Sequence, residues 1–182
     1  MKPKLLITRQ LKPETLAPLQ EHFTLDVWES EDTVMPRAEL LARSKGAVGV
    51  LCMLTDKIDE EFLNAAGEQL RAVSTMSVGF DHIDTKALEA RNIQLGITPG
   101  VLDNAVADLT IALMLNASRR IPEAIQAAKT GKWGTWSPYW MTGQDLSNAT
   151  VGIVGMGAIG AMVTKRLSGF GCNFVYQSIA KT

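Results

Sequence analysis

The chain has 182 residues, 46% of them hydrophobic and 20% charged, which is enough for a real core in one domain or two small ones and argues against disorder. Its 18 basic and 19 acidic side chains are well mixed and sum to a formal charge of -1, so no basic stripe speaks for nucleic acid. No apolar stretch approaches the roughly 20 residues that span a bilayer, and the apolar run in MKPKLLITR is too short for a signal peptide. Cys52 and Cys172 each sit in an apolar run and read as buried thiols of a reducing compartment. The chain is therefore expected to be cytoplasmic, without a membrane, nucleic-acid or metal partner.

Along the chain, short apolar runs alternate with helical patterns. KLLIT (4 to 8) reads as a strand and PETLAPLQEH (13 to 22) as a helix, with Pro13 tolerated in its first turn. TLDVW (24 to 28) is a strand and PRAELLARS (36 to 44) a helix. GAVGVLCML (46 to 54) has the near-continuous apolar character of a strand covered on both faces. DEEFLNAA (59 to 66) is helical with Asp59 as N-cap, and RAVST (71 to 75) is a strand. A short helix over 84 to 90 and the strand IQLGI (93 to 97) complete the series. This alternation predicts an α/β layer structure with a parallel sheet.

Thr98-Pro99-Gly100 breaks the pattern and marks a domain boundary. Two helices follow, over 101 to 117 and 120 to 130, the first apolar on most faces and expected to be buried. The segment GKWGTWSPYWMTGQDLSN (131 to 148) holds Trp133, Trp136 and Trp140 and lacks regular structure. Two readings stand for it: a loop that lays its aromatics over its own domain, or a subunit-contact arm, since tryptophans are favoured interface anchors.

TVGIVGMGAIG (150 to 160) is the strongest local signal. Val151, Ile153 and Val154 read as a buried strand, Gly155, Gly157 and Gly160 fit GxGxxG, and AMVTKRLSGFG continues as a helix. Gly155 would permit the tight turn, Gly157 would let backbone approach a pyrophosphate, and Gly160 would let helix pack on strand. Free N–H groups near Ala158 and Ile159 would meet the phosphates at the positive end of the helix dipole. The other reading is that the glycines serve helix–strand packing alone. The following strand ends in Tyr176, Gln177 and Ser178, with no acid to hold a ribose 2′-OH. That absence, with Lys181 beyond it, tilts the cofactor expectation to NADP(H) over NAD(H).

STMSVGFDHIDTKAL (74 to 88), the helix VLDNAVADLTIALMLNASRRIPEAI, the arm GKWGTWSPYW and the turn GIVGMGAIG together resemble the D-2-hydroxyacid dehydrogenases, and among them the glyoxylate/hydroxypyruvate reductase branch. The resemblance implies a flavodoxin-like substrate domain over 1 to 98, followed over 99 to 182 by the first βαβ unit of a Rossmann dinucleotide-binding domain. It also implies a homodimer through 101 to 148, with Trp136 of the arm reaching the partner's active site. The amides of Val78 and Gly79 are implied to grip the substrate carboxylate, and Met53 to flank it. From the residues alone, Met53 reads as core filling. Three positions depart from the family pattern: Gly100 replaces an Asp, Val106 replaces a Thr near the nicotinamide, and Asp108 replaces a Glu.

The implied reaction is NAD(P)H-dependent reduction of a small 2-oxo acid, glyoxylate or hydroxypyruvate, to the 2-hydroxy acid. The family's catalytic Arg, Glu and His are expected beyond this chain, and neither His22 nor His82 is assigned that role. A two-strand nucleotide unit is expected to leave one apolar face uncovered. The alternative reading is a non-catalytic truncated isoform or dimerising regulatory module.

Overall fold

The computed structural model describes residues 1–179 and divides the chain between Pro99 and Gly100 into two compact units. In the first, strands β1 (Lys4–Ile7), β2 (Thr24–Val27), β3 (Ala47–Cys52), β4 (Ala72–Thr75) and β5 (Gln94–Gly96) alternate with helices α1 (Pro13–Gln20), α2 (Arg37–Ser44), α3 (Glu60–Ala66) and α4 (Thr85–Ala90). All neighbouring strands are parallel and their order is β2-β1-β3-β4-β5, the flavodoxin-like doubly wound arrangement. Each expected element is present, with ends shifted by one to a few residues where terminal turns fray.

Alternation along β1 assigns its two faces. Leu6 joins Leu40 of α2, Phe62 and Leu63 of α3, and Leu88 of α4 in the main core. Leu5 and Ile7 face the other way, onto Leu16 and Leu19 of α1. One face of the sheet thus carries three helices and the other carries one. An apolar groove of about 410 Å³ remains beside α1, lined by Leu19, Phe23, Val48, Leu51 and Ala72. The expectation that β3 is covered on both faces holds fully only on the face of Val50 and Cys52, because Val48 and Leu51 stay half-buried along this groove.

Two side chains start helices, Asp59 as the sequence predicts and Asp84 as the structure adds. Asp59 accepts from the Phe62 N–H at 3.1 Å, and Asp84 accepts from the Ala87 N–H at 3.0 Å. Burial works against the Asp59 carboxylate. The Phe62 N–H, Arg37 and Lys57 outweigh it and hold its pKa down to about 2.

The second unit contains α5 (Asp103–Ser118), α6 (Ile121–Lys129), β6 (Thr150–Val154), α7 (Ala158–Leu167), a 3-10 turn over Ser168–Phe170, and β7 (Asn173–Gln177). β6 and β7 pair in parallel, giving one βαβ crossover. Ala107 of α5 packs with Val163 and Leu167 of α7, against Val151 and Phe174 of the sheet.

Three burial expectations fail here. α5 is not enclosed: Leu109 and Leu113 are 59% and 60% exposed. An all-round apolar helix needs partners on every side, and its own unit covers only the face that meets α7 and α6. Nor is β6 buried throughout, since Val154 is 90% exposed. One face of the two-stranded sheet meets α5 and α7, while Gly152, Val154 and Val175 share the other. Cys172 is only half-buried, whereas Cys52 is enclosed.

Candidate active site

In doubly wound sheets, ligands collect at the carboxyl ends of the strands. In the first unit, Met53 follows β3 and the turn Met76-Ser77-Val78-Gly79 follows β4. The two strand ends are neighbours: Cys52 pairs with Thr75, and the Met76 N–H donates to the Cys52 carbonyl at 3.3 Å. Met53, Val78 and Gly79 thereby follow neighbouring strands at the carboxyl end of the sheet. Met53 is half-buried rather than core, which corrects the core-filling reading. Its backbone is fixed by Asp56, whose Oδ2 accepts from the Met53 N–H at 2.8 Å and from the Thr8 hydroxyl at 2.5 Å. That buried carboxylate ties the end of β1 to the end of β3.

Past Met76, whose N–H continues the ladder to Cys52, the 77 to 79 turn is outside the sheet. The Thr98 N–H donates to the Ser77 carbonyl at 3.0 Å, and the Ser77 hydroxyl donates to the Gly79 carbonyl at 2.7 Å. The N–H groups of Val78 and Gly79 have no acceptor among the described residues. Gly79 has open space where a Cβ would stand and no positive φ, so neither packing nor backbone strain requires glycine there. A pair of free amides on a pinned turn, at half-buried Val78 and exposed Gly79, is suited to an anion.

Beneath the turn lies a polar cluster that sequence reasoning missed. Thr75 and Ser77 are buried, their hydroxyl oxygens 2.8 Å apart. His82 Nε2 is 3.1 Å from Thr75 Oγ1, and the Cys52 thiol lies at 4.0 Å from the same nitrogen. Burial lowers the His82 pKa against the opposing pull of Asp56 and Asp81. Burial, then Asp56, pushes the Cys52 thiol up to about 12, which keeps it protonated and inert. The available signal was the run of small hydroxyls in STMS closing an apolar strand, followed by His82. His22, by contrast, is exposed past the end of α1.

In the second unit the three motif glycines separate by physical role. Gly155 has φ +96, a conformation that disfavours side chains, and its N–H continues the ladder to the Gln177 carbonyl at 2.8 Å. A Cβ on Gly160 would drive into the Gly155 carbonyl oxygen, so packing alone demands glycine there. Gly157 is different. Its φ is -78 and nothing lies within 4 Å of an added Cβ. It is the N-cap of α7 and offers no side-chain cap, leaving the first-turn amides at Ala158 and Ile159 without a capping acceptor.

Val106 is half-buried on α5, one residue before the core Ala107. Asp108 pairs with Arg166 at 2.5 Å, joining α5 to α7. Trp136 is 87% exposed, while Trp133 and Trp140 meet edge to face at 4.7 Å. The reading that the loop spreads its aromatics over its own domain fails for Trp136 and Tyr139. β7 ends at Gln177 with no carboxylate following, and Lys181 lies outside the described residues. Among the described residues, no cluster of His, Cys, Asp or Glu could hold a metal, and no helix is long and apolar enough to cross a membrane.

A five-stranded parallel α/β unit, joined in sequence to a βαβ crossover that carries GxGxxG, defines the class as a two-unit α/β protein of parallel sheets. The chain belongs to the D-isomer specific 2-hydroxyacid dehydrogenases, whose catalytic-domain model matches residues 5–173. It is 45% identical over 176 residues to a glyoxylate reductase/hydroxypyruvate reductase of Mus musculus, covering 95% of this chain and 53% of that protein. A glyoxylate reductase of Thermofilum pendens is 43% identical over 181 residues, covering 99% and 53%. The chain thus spans about half the length of the curated relatives it matches. A crystal structure of a Thermus thermophilus protein superposes with TM-score 0.89 at 41% identity, covering 98% of this chain and 57% of that one. An NADPH-dependent glyoxylate/hydroxypyruvate reductase from Sinorhizobium meliloti, solved with NADP and malonate, gives 0.77 at 28% identity, covering 100% and 55%.

Proposed function

We propose that the chain supplies the carboxylate grip and the pyrophosphate turn of an NAD(P)H-dependent reductase of small 2-oxo acids, glyoxylate or hydroxypyruvate. Residues 1 to 98 serve as the substrate domain, and the later residues begin the nucleotide domain. The observation that carries this reading is glycine without a structural need at two places, Gly79 and Gly157, each beside backbone amides that have no acceptor. A side chain there would crowd those amides, so its absence leaves them open to a ligand. The bound nicotinamide would supply hydride. The amides of Val78 and Gly79 would hold the substrate carboxylate, with Met53 beside it. Gly155, Gly157, Ala158, Ile159 and Gly160 would cradle the pyrophosphate, and Val106 would border the nicotinamide. No proton donor is assigned within the chain, because His82 is engaged with Thr75.

The lack of an acid after β7 supports NADP(H) over NAD(H), since a carboxylate there would repel a 2′-phosphate. The exposure of Leu109, Leu113 and Trp136 supports a homodimer through 101 to 148, with Trp136 serving the partner's site. The same exposure supports the second reading, a non-catalytic module that pairs with longer subunits. Calorimetric titration with NADPH and NADH tests the main reading. Tighter NADPH binding that Gly157→Ala abolishes is expected, and equal indifference to both nucleotides would sink it.

A further inference from the structure

The buried hydroxyls under the 76 to 79 turn have a direction that hydrogen counting fixes. Three contacts run in series: His82 Nε2 to Thr75 Oγ1 at 3.1 Å, Thr75 Oγ1 to Ser77 Oγ at 2.8 Å, and Ser77 Oγ to the Gly79 carbonyl at 2.7 Å. A carbonyl oxygen only accepts, so the single Ser77 hydroxyl hydrogen goes to Gly79. Ser77 Oγ must then accept from Thr75, which spends the only Thr75 hydroxyl hydrogen. For the 3.1 Å contact to be a hydrogen bond, Thr75 Oγ1 accepts, and the donor that faces it in the series is an N–H on His82 Nε2. These three contacts need three hydrogens, which the imidazole and the two hydroxyls supply one each, and the Cys52 thiol, 4.0 Å from the same nitrogen, then lies beside Nε2–H as a weak acceptor. The Nδ1–H tautomer would leave the first contact without a hydrogen.

We propose that His82, Thr75 and Ser77 are positioning residues: a one-way relay, His82 Nε2–H to Thr75 to Ser77 to the Gly79 carbonyl, that holds the carboxylate-gripping turn in its binding shape. This rests on the function proposed above for the Val78 and Gly79 amides. His82 is itself anchored from its other side. Its carbonyl accepts the Ile58 N–H at 2.9 Å, and Ile58 and Ile83 form a parallel bridge. The relay therefore links the α3 entry to the turn. Because Thr75 and Ser77 are buried, a broken link leaves a hydroxyl without a partner, and the turn would relax to find water. The relay never touches substrate, so it acts on affinity for the acid through the shape of the turn.

The test uses the intact chain, labelled with 15N, and oxalate as the carboxylate probe. The imidazole spectrum of His82 at neutral pH should show a protonated Nε2 and an unprotonated Nδ1. Oxalate should shift the Val78 and Gly79 amide signals. Thr75→Val and Ser77→Ala should each weaken oxalate about tenfold, the scale of one buried hydrogen bond. Thr75→Ser, which keeps the hydroxyl, should restore it. His82→Gln, which keeps an N–H donor, should bind oxalate better than His82→Phe. A His82 Nδ1–H tautomer, or Thr75→Val with unchanged oxalate affinity, would overturn the relay even while oxalate binds. Absence of any oxalate shift in the unmodified chain would instead overturn the carboxylate reading, and the tautomer spectrum tells the two failures apart. The spectrum needs no variant, so a misfolded substitution does not blunt the test.

Discussion

The two units of this chain treat apolar surface in opposite ways. In the first, Leu6, Phe62, Val50 and Val73 are almost wholly enclosed, and five strands share four helices of their own. In the second, Leu109, Leu113, Trp136 and Val154 face outward from a two-stranded sheet with three helices. A similar density of hydrophobic residues thus yields a closed core in one place and open apolar faces in another. What differs is the supply of partners. Hydrophobic burial rewards area removed from water, and the second unit has too few layers to remove it. Both candidate sites fit this contrast. The 76 to 79 turn is braced from beneath by the buried Thr75 and Ser77 hydroxyls, whereas the 155 to 160 turn is held by backbone geometry at Gly155 and Gly160.

Substitutions should break this comparison unequally. The largest effect is expected from Phe62→Ala in the enclosed core, about 3–5 kcal/mol of destabilisation by denaturant titration. If Trp28 fluorescence reports that loss while Trp133 and Trp140 stay unchanged, the units unfold separately; coincident transitions would show one cooperative body. Gly160→Ala should cost about 1–3 kcal/mol, because its Cβ meets the Gly155 carbonyl. Gly157→Ala meets nothing and should keep stability within about 0.5 kcal/mol, while NADPH affinity falls. Equal effects of the two on folding would refute the separation of roles.

Loss of the α3 cap in Asp59→Ala should cost about 0.5–2 kcal/mol, readable as a lower denaturant midpoint. Leu109→Ser combined with Leu113→Ser should leave monomer stability nearly unchanged, within about 0.5 kcal/mol for each exposed site. If a second copy covers α5, the double change should lower the mass seen by sedimentation at high concentration. The smallest effect is in pH. Burial lowers the His82 pKa from its ordinary 6.5, so the folded state favours neutral imidazole. That contribution is complete above 6.5 and fades as pH falls below it. His82→Gln should flatten the stability profile on that acid side, and an NMR midpoint for His82 at or above 6.5 would contradict it.

Much of this was legible in the residues. Period and punctuation alone located every strand and helix, because backbone hydrogen bonds and one-sided burial repeat locally. Asp59, Gly155 and Gly160 announced their roles because a cap, a tight turn and a helix–strand approach are decided within a few residues. Tertiary structure decided what depends on distant partners. The link from Asp56 to Thr8 spans 48 positions, and no periodicity encodes it. His82 gains its partner Thr75 only once β4 and the following turn are folded around it. Whether Leu109 or Val154 is inside was equally undecided by its type, since burial belongs to the assembled layers and not to the residue.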